Sequence, residues 1–158
     1  MIAETHLRVL QTIHARLADR EFTWALTGST CFALQGVPVQ PHDIDVQTDA
    51  NGAYAIARLF PEYVTREVAF SSAERIRSHF GALEIYGLTV EIMGDIEKSL
   101  SDGCWEPAPD LRQHRQFVEI AGMRIPVLSL EYEYQAYLTL ERVERAKLLR
   151  TFIDQHLS

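Results

Sequence analysis

The sequence predicts an α+β fold: an α/β mixed sheet with helices packed on one side and further helices at the C-terminus. Three patterns predict it. Over residues 4–60 the apolar spacing alternates between helical and strand period. Paired runs of β-formers follow, each pair folded about a glycine, and residues 129–157 return to helical period. Strand–helix alternation kept to the end would imply a parallel sheet, whereas clustered hairpins after an α/β opening imply a mixed one.

The elements follow in order. Residues 4–20 set Leu7, Leu10, Ile13, His14 and Leu17 at three- and four-residue intervals among charges, which is one stripe of an amphipathic helix. Phe22-Thr23-Trp24-Ala25-Leu26-Thr27 is short and rich in β-formers, and it ends at Gly28-Ser29. A short helix over 30–35 stops at Gly36 and Pro38. Residues 43–48 alternate polar and apolar, a strand with one wet face. Asn51-Gly52 turns the chain into a helix over 53–60, ended by Pro61.

A strand over 63–69 precedes a polar stretch, 71–79. Residues 82–86 and 88–93 flank Gly87 as a hairpin, and 117–120 and 123–128 flank Ala121-Gly122 as another. Between them, 94–115 reads as a long connection with Trp105, Pro107 and Pro109. From 129 to 157 the stripe of Leu130, Tyr134, Tyr137, Leu138, Leu149, Phe152 and Ile153 predicts helix, broken around 140–144. The expected organisation is a core over 1–128 and a helical extension over 129–158, packed as one unit.

With 158 residues, 47% hydrophobic and 23% charged, the chain can bury a core without staples. Cys31 and Cys104 are too few for a disulfide scaffold or a zinc cluster and read as reduced thiols, so a cytoplasmic location is expected. Fifteen basic against 22 acidic side chains give a net charge of −7. Bulk nucleic-acid binding is not expected of such a chain, because phosphate neutralisation needs the opposite sign. No apolar run is long enough to cross a bilayer, so no membrane role is expected either.

The chemistry lies in three features that occur in a fixed order. Gly28-Ser29 stands at a strand-to-helix junction, Asp43-Ile44-Asp45 opens the next strand, and Glu91 sits within Val90-Glu91-Ile92. Strand residues two apart face the same side, roughly 7 Å apart along the backbone. Two carboxylates so placed repel each other, and one is pushed to hold its proton unless a divalent cation joins them. Mg²⁺ suits such a set, since it takes few protein carboxylates and leaves positions for water and phosphate. A helix start presents free N–H groups to a phosphate, and glycine lets the phosphate approach. Taken singly, Gly28-Ser29 reads as a helix cap, Asp43 and Asp45 as a solvated strand end, and Glu91 as an outward strand residue.

Together these segments resemble the DNA polymerase β-type nucleotidyltransferase superfamily. Its members share a Gly-Ser, a short spacer, an Asp-hydrophobic-Asp strand and a third acid on a later strand. Among them the chain looks most like small single-domain proteins near the aminoglycoside and lincosamide adenylyltransferases, through Pro41-His42-Asp43-Ile44-Asp45 and the hairpin 123–128 followed by helices. The spacer here, residues 30–42, is slightly longer than the family's.

The resemblance implies that Asp43, Asp45 and Glu91 are catalytic and hold two Mg²⁺ ions, with Mn²⁺ as a substitute. It implies that Gly28 and Ser29 bind the phosphates of a nucleoside triphosphate. The reaction implied moves an NMP group, AMP by expectation, to a hydroxyl acceptor that the sequence does not name and that could be a small molecule. A nucleotide-binding or toxin–antitoxin-type protein working with a protein or RNA partner is the alternative.

Arg75 and Arg77 are further phosphate-contact candidates, because guanidinium forks suit phosphate; a solvated loop is the competing reading. His42, Arg142, Arg145 and Lys147 are weaker candidates for contact with the nucleotide, and Trp105 could line an acceptor pocket. Tyr132, Tyr134 and Tyr137 read as core rather than as a stacking platform, and Cys31 as a buried small hydrophobe. The aromatic terminal helices could also pair two copies into a homodimer.

Overall fold

Eight strands form one sheet in the order β3-β4-β5-β2-β1-β8-β7, with β6 paired to the far end of β5. The computed structural model describes residues 2–156. Along the chain these are α1 (Glu4–Leu17), β1 (Trp24–Thr27), α2 (Gly28–Leu34), β2 (Ile44–Thr48), α3 (Ala50–Leu59), β3 (Val64–Ser72), β4 (Ile76–Ile85) and β5 (Leu88–Ser99). Then come β6 (Trp105–Glu106), β7 (Arg115–Ile120), β8 (Met123–Leu128), α4 (Leu130–Thr139) and α5 (Val143–His156). β1 runs parallel to β8 and β2 parallel to β5, while the other pairings are antiparallel. The sheet is therefore mixed, as the hairpin pattern implied.

The apolar stripe of α1 buries Val9, Leu10, Ile13 and Leu17 in the same core as Leu26, Ile44, Val46 and Ile92. Leu149, Phe152 and Ile153 of α5 belong to that core too, and the Tyr137 ring meets Phe32 edge-on at 5.8 Å. The terminal helices thus help to form the core. Tyr134 and Tyr137 pack against it, as read from the sequence. Leu157, the last residue of the expected terminal helix, lies outside the described residues.

Several boundaries differ from expectation for local reasons. α3 begins at Ala50, ahead of Ala53, because the Asp49 carboxylate accepts from the Gly52 N–H at 2.6 Å and caps the helix. Residues 71–79 are no polar loop: β3 and β4 run through them in register, Ser71 opposite Ser78 and Ser72 opposite Arg77. β3 is an edge strand, so ladder hydrogen bonds hold it without an apolar alternation to reveal it. Likewise 94–115 is not one long connection, since β5 continues to Ser99 and β6 pairs with its end. The expected wet face of β2 is partly covered as well: Gln47 is buried in the central part of the sheet, while Asp45 keeps some exposure.

The break between α4 and α5 falls at 140–142, within the expected interval. The Arg142 N–H bonds the Tyr137 carbonyl and the Glu141 N–H bonds that of Leu138, the paired pattern that closes a helix around a left-handed residue. That residue is usually glycine, but here it is Glu141 at φ 60°, whose carboxylate reaches Arg75 at 2.7 Å. Left-handed backbone costs a non-glycine residue about 1–2 kcal/mol, and an exposed ion pair returns about 1 kcal/mol or less. Glu141→Gly should therefore hold or raise stability, by up to about 1 kcal/mol, in urea unfolding. A clear loss would mean that the bond to Arg75 outweighs the strain.

Candidate active site

The site forms where β1 ends and α2 begins. Gly28 opens α2 at φ 75°, and a Cβ there would stand 2.4 Å from Asp45 Oδ2. Any other residue would collide with the carboxylate as well as strain the backbone. Ser29 Oγ accepts from the His42 N–H at 3.0 Å, and Thr30 Oγ1 donates to the Asp43 carbonyl at 3.2 Å. These two bonds tie the 36–43 loop back onto α2 and absorb the longer spacer. They leave the Ser29 hydroxyl proton unassigned and therefore able to donate to a ligand.

β2 and β5 are parallel neighbours in register, with Asp45 opposite Glu91. Glu91 therefore lies beside Asp45, close enough to share a hydrogen bond with it. Asp43 sits exposed just before β2, near enough for its charge to act on Asp45. Asp45 keeps some exposure as a residue, yet its Oδ1 is buried without a hydrogen-bond partner. Burial first, then the charges of Glu91, Asp43 and Glu133, push its carboxyl up to about 8. It holds its proton at neutral pH when no cation is present.

Glu133 was not among the sequence candidates. It is 3% exposed on α4, accepts from the Thr27 hydroxyl and the Gly28 N–H, and its carboxyl is raised to about 7, chiefly by burial. The Gly28 N–H, expected to face phosphate, is thus engaged by a side chain. A signal for Glu133 did exist: it lies three residues after Leu130 and four before Tyr137, on the apolar stripe of its helix. Lys98, 5% exposed, was also missed. A cavity of about 110 Å³ lies under α4, and its walls include Gly28, Asp45, Gln47, Lys98, Glu133 and Arg142.

Arg75 and Arg77 do not line that cavity. Arg75 is held by Glu141, while Arg77 pairs with Glu97 at 2.7 Å and lies over the Trp105 ring at 4.4 Å. His42 contributes its backbone N–H, and its side chain is exposed. Arg142 reaches the cavity, Arg145 lies over Phe32, and Lys147 pairs with Glu144 at the surface. Cys31 is buried, and burial raises its thiol well above the usual value, which fits an inert core residue.

Among the described residues, no three His, Cys, Asp or Glu side chains are gathered as a ready metal cage. The orphaned Asp45 Oδ1 and the all-carboxylate donors Asp43, Asp45 and Glu91 nevertheless fit a hard divalent cation. Mutual repulsion keeps such groups apart, or partly protonated, until a cation arrives.

Residues 9–149 match the aminoglycoside-2''-adenylyltransferase family. The chain belongs to that family. A protein of Thermotoga maritima, proposed to be a nucleotidyltransferase, is 58% identical over 99% of this chain and 97% of its own, with a TM-score of 0.87. Two more distant structures share the fold. The lincosamide antibiotic adenylyltransferase LnuA, lincomycin-bound, is 18% identical over 94% of this chain and 97% of its own, with a TM-score of 0.55. ANT(2'')-Ia in complex with adenylyl-2''-tobramycin is 16% identical over 94% and 90%, with a TM-score of 0.62. No curated protein sequence matches the chain. This member of the adenylyltransferase family is thus a nucleotidyltransferase with the mixed-sheet fold of its neighbours. Among the described residues, no helix is long and apolar enough to cross a membrane.

The raised Asp45 carboxyl sets the pH dependence of the metal-free protein. A group that keeps its proton to about pH 8 when folded, but loses it in the ordinary carboxylate range when unfolded, favours folding at low pH. That advantage fades as pH rises towards 8. In thermal melts with chelator present, Asp45→Asn should be more stable than the parent at about pH 8, with the gap closing towards about pH 5. Parallel profiles would show that Asp45 is not the strained group.

Proposed function

We propose that this protein moves a nucleoside monophosphate, AMP in the first instance, from a nucleoside triphosphate to a hydroxyl of a small-molecule acceptor. The observation that carries the reading is the facing of Asp45 and Glu91 across β2 and β5, beside the glycine that opens α2. Asp43, Asp45 and Glu91 would hold divalent Mg²⁺ or Mn²⁺, which supplies charge neutralisation for the phosphates and the leaving pyrophosphate. Support for AMP and for a small acceptor comes from the adenylyl-tobramycin and lincomycin named with the two distant neighbours.

This chain's own residues have separable tasks in that reaction. The Ser29 hydroxyl donates to a phosphate oxygen while its lone pair keeps the His42 loop in place. Gly28, with no Cβ, lets the Asp45 carboxylate pack directly against the start of α2 beside the phosphate cradle. Glu91 lies beside Asp45, where it would orient the acceptor hydroxyl and take its proton. Glu133 fixes the Thr27–Gly28 turn from above and so positions the cradle without touching the phosphates.

Incubation with each α-labelled NTP, Mg²⁺ or Mn²⁺, and small-molecule extract tests this directly. Label should pass to an acceptor with release of pyrophosphate. Asp45→Ala or Glu91→Gln should cut transfer by about 10³-fold, as loss of several kcal/mol of transition-state stabilisation implies. Transfer that survives in Asp45→Ala, or NTP binding with no transfer to any acceptor, would overturn the reading.

A further inference from the structure

The sheet ends on two edge strands, β3 and β7, and they are finished differently. Along β3 the pairing with β4 shifts between Val64 and Arg66 and again between Arg66 and Ala69, irregularities that turn an edge away from further pairing. β7 has no such device. Its six residues, Arg115–Ile120, pair with β8 in unbroken register, and Gln116, Phe117 and Glu119 are exposed. An edge left regular and open offers its backbone to another strand.

The inner side of β7 fixes which backbone groups it offers. The Ser129 N–H bonds the His114 carbonyl, in the same register that sets Arg115 opposite Leu128. Residues of an antiparallel strand alternate between bonding to a neighbour and turning away from it. Gln116, Val118 and Ile120 therefore bond to β8, as His114 does, while Arg115, Phe117 and Glu119 turn their N–H and C=O groups outward. Pro126 agrees with this phase. It has no N–H to give and stands opposite Phe117, where the β7–β8 ladder asks for none.

The outward residues also carry complementary side chains. Alternate strand residues share a face, so Arg115, Phe117 and Glu119 line up on one side of the sheet. Arg115 and Glu119 lie symmetrically about Phe117, and neither is ion-paired among the described residues. Phe117 is 40% exposed, with the guanidinium groups of Arg115 and Arg124 over its ring at 5.2 and 3.9 Å.

We infer that β7 pairs with β7 of a second copy of this chain, antiparallel about a two-fold axis at Phe117, and so joins two sheets into one. In that register Arg115 stands opposite Glu119 of the second copy, at both ends, and the two Phe117 rings lie side by side. The outward N–H and C=O groups of all three residues find partners, since each such pair exchanges both of its hydrogen bonds. Glu119 then has a guanidinium on either side, from Arg124 of its own β8 and from Arg115 of the second copy. Other registers are worse. Centring on Arg115 or on Glu119 sets like charges opposite each other, and centring on Gln116 or Val118 leaves both charges without their opposites. The terminal helices are a poorer surface for this contact, because Tyr134 and Tyr137 pack against the core.

Sedimentation equilibrium of the full chain over a wide concentration range tests the pairing. The parent should show a reversible monomer–dimer equilibrium. Arg115→Glu alone and Glu119→Arg alone should each raise the dimer dissociation constant about tenfold or more, because like-charge pairs replace opposite ones at both ends. An equimolar mixture of these two variants should recover most of the parent's affinity, since each supplies the charge the other lacks. Loss of folding would give no such recovery. Phe117→Pro removes an outward N–H and leaves the β8 ladder intact, so it should abolish the dimer while keeping the circular dichroism of the parent.

A parent that stays monomeric overturns the proposal and leaves the edge to a different chain. A dimer that the charge reversals or Phe117→Pro leave unchanged also overturns it, since the contact would then lie elsewhere. So does a mixture that fails to recover. Should Phe117→Pro not fold, the mixing result decides alone.

Discussion

The whole site depends on one close approach: the Asp45 carboxylate set against a glycine that has no Cβ to meet it, with Glu91 at its side. Gly28 is fixed by its left-handed backbone and by the space Asp45 needs. The loop between α2 and β2 is fixed because Ser29 and Thr30 hold its last residues. Glu91 is fixed by the parallel register of β2 with β5, so the sheet order itself determines which acids meet. A buried carboxyl with an orphaned oxygen is costly, and a site for a cation is the physical account of why a fold would retain it.

α4 completes what the sheet begins. Ser129 caps it by accepting from the Tyr132 N–H, which starts the helix so that Glu133 falls over the Thr27–Gly28 turn. Tyr137, one turn further on, packs on Phe32 of α2, so the same helix clamps both ends of the segment that would cradle phosphate. This explains why α4 and α5 share the sheet's core. The arrangement also encloses a cavity walled in part by Gly28, Asp45, Lys98, Glu133 and Arg142.

Much of this was legible in the sequence where chemistry and local spacing coincide. Gly28-Ser29, the Asp43–Asp45 pair and Glu91 stood out because glycine and clustered acids are costly unless a backbone turn or a cation needs them. The paired strands were visible through Gly87 and Gly122, both at positive φ in their turns. What escaped reading depended on contacts distant in sequence. Ser71 and Ser72 end an edge strand and residues 76–79 open β4 with few apolar side chains, so their pairing shows only in three dimensions. Lys98 is buried because a bulge near Asp95, where the β4–β5 register shifts, changes which face it meets. Arg75 and Arg77 look like phosphate ligands by type, but Glu141 and Glu97, their partners, lie far along the chain or on another strand.

The direct measurement is Mg²⁺ binding to the metal-free protein by calorimetry at about pH 7, repeated in buffers of different ionisation enthalpy. If Asp45 holds a proton until a cation displaces it, binding must release close to one proton per protein, and Asp45→Asn must lose both the binding and the release. Mg²⁺ binding with no proton release, or undiminished binding in Asp45→Asn, would contradict the account.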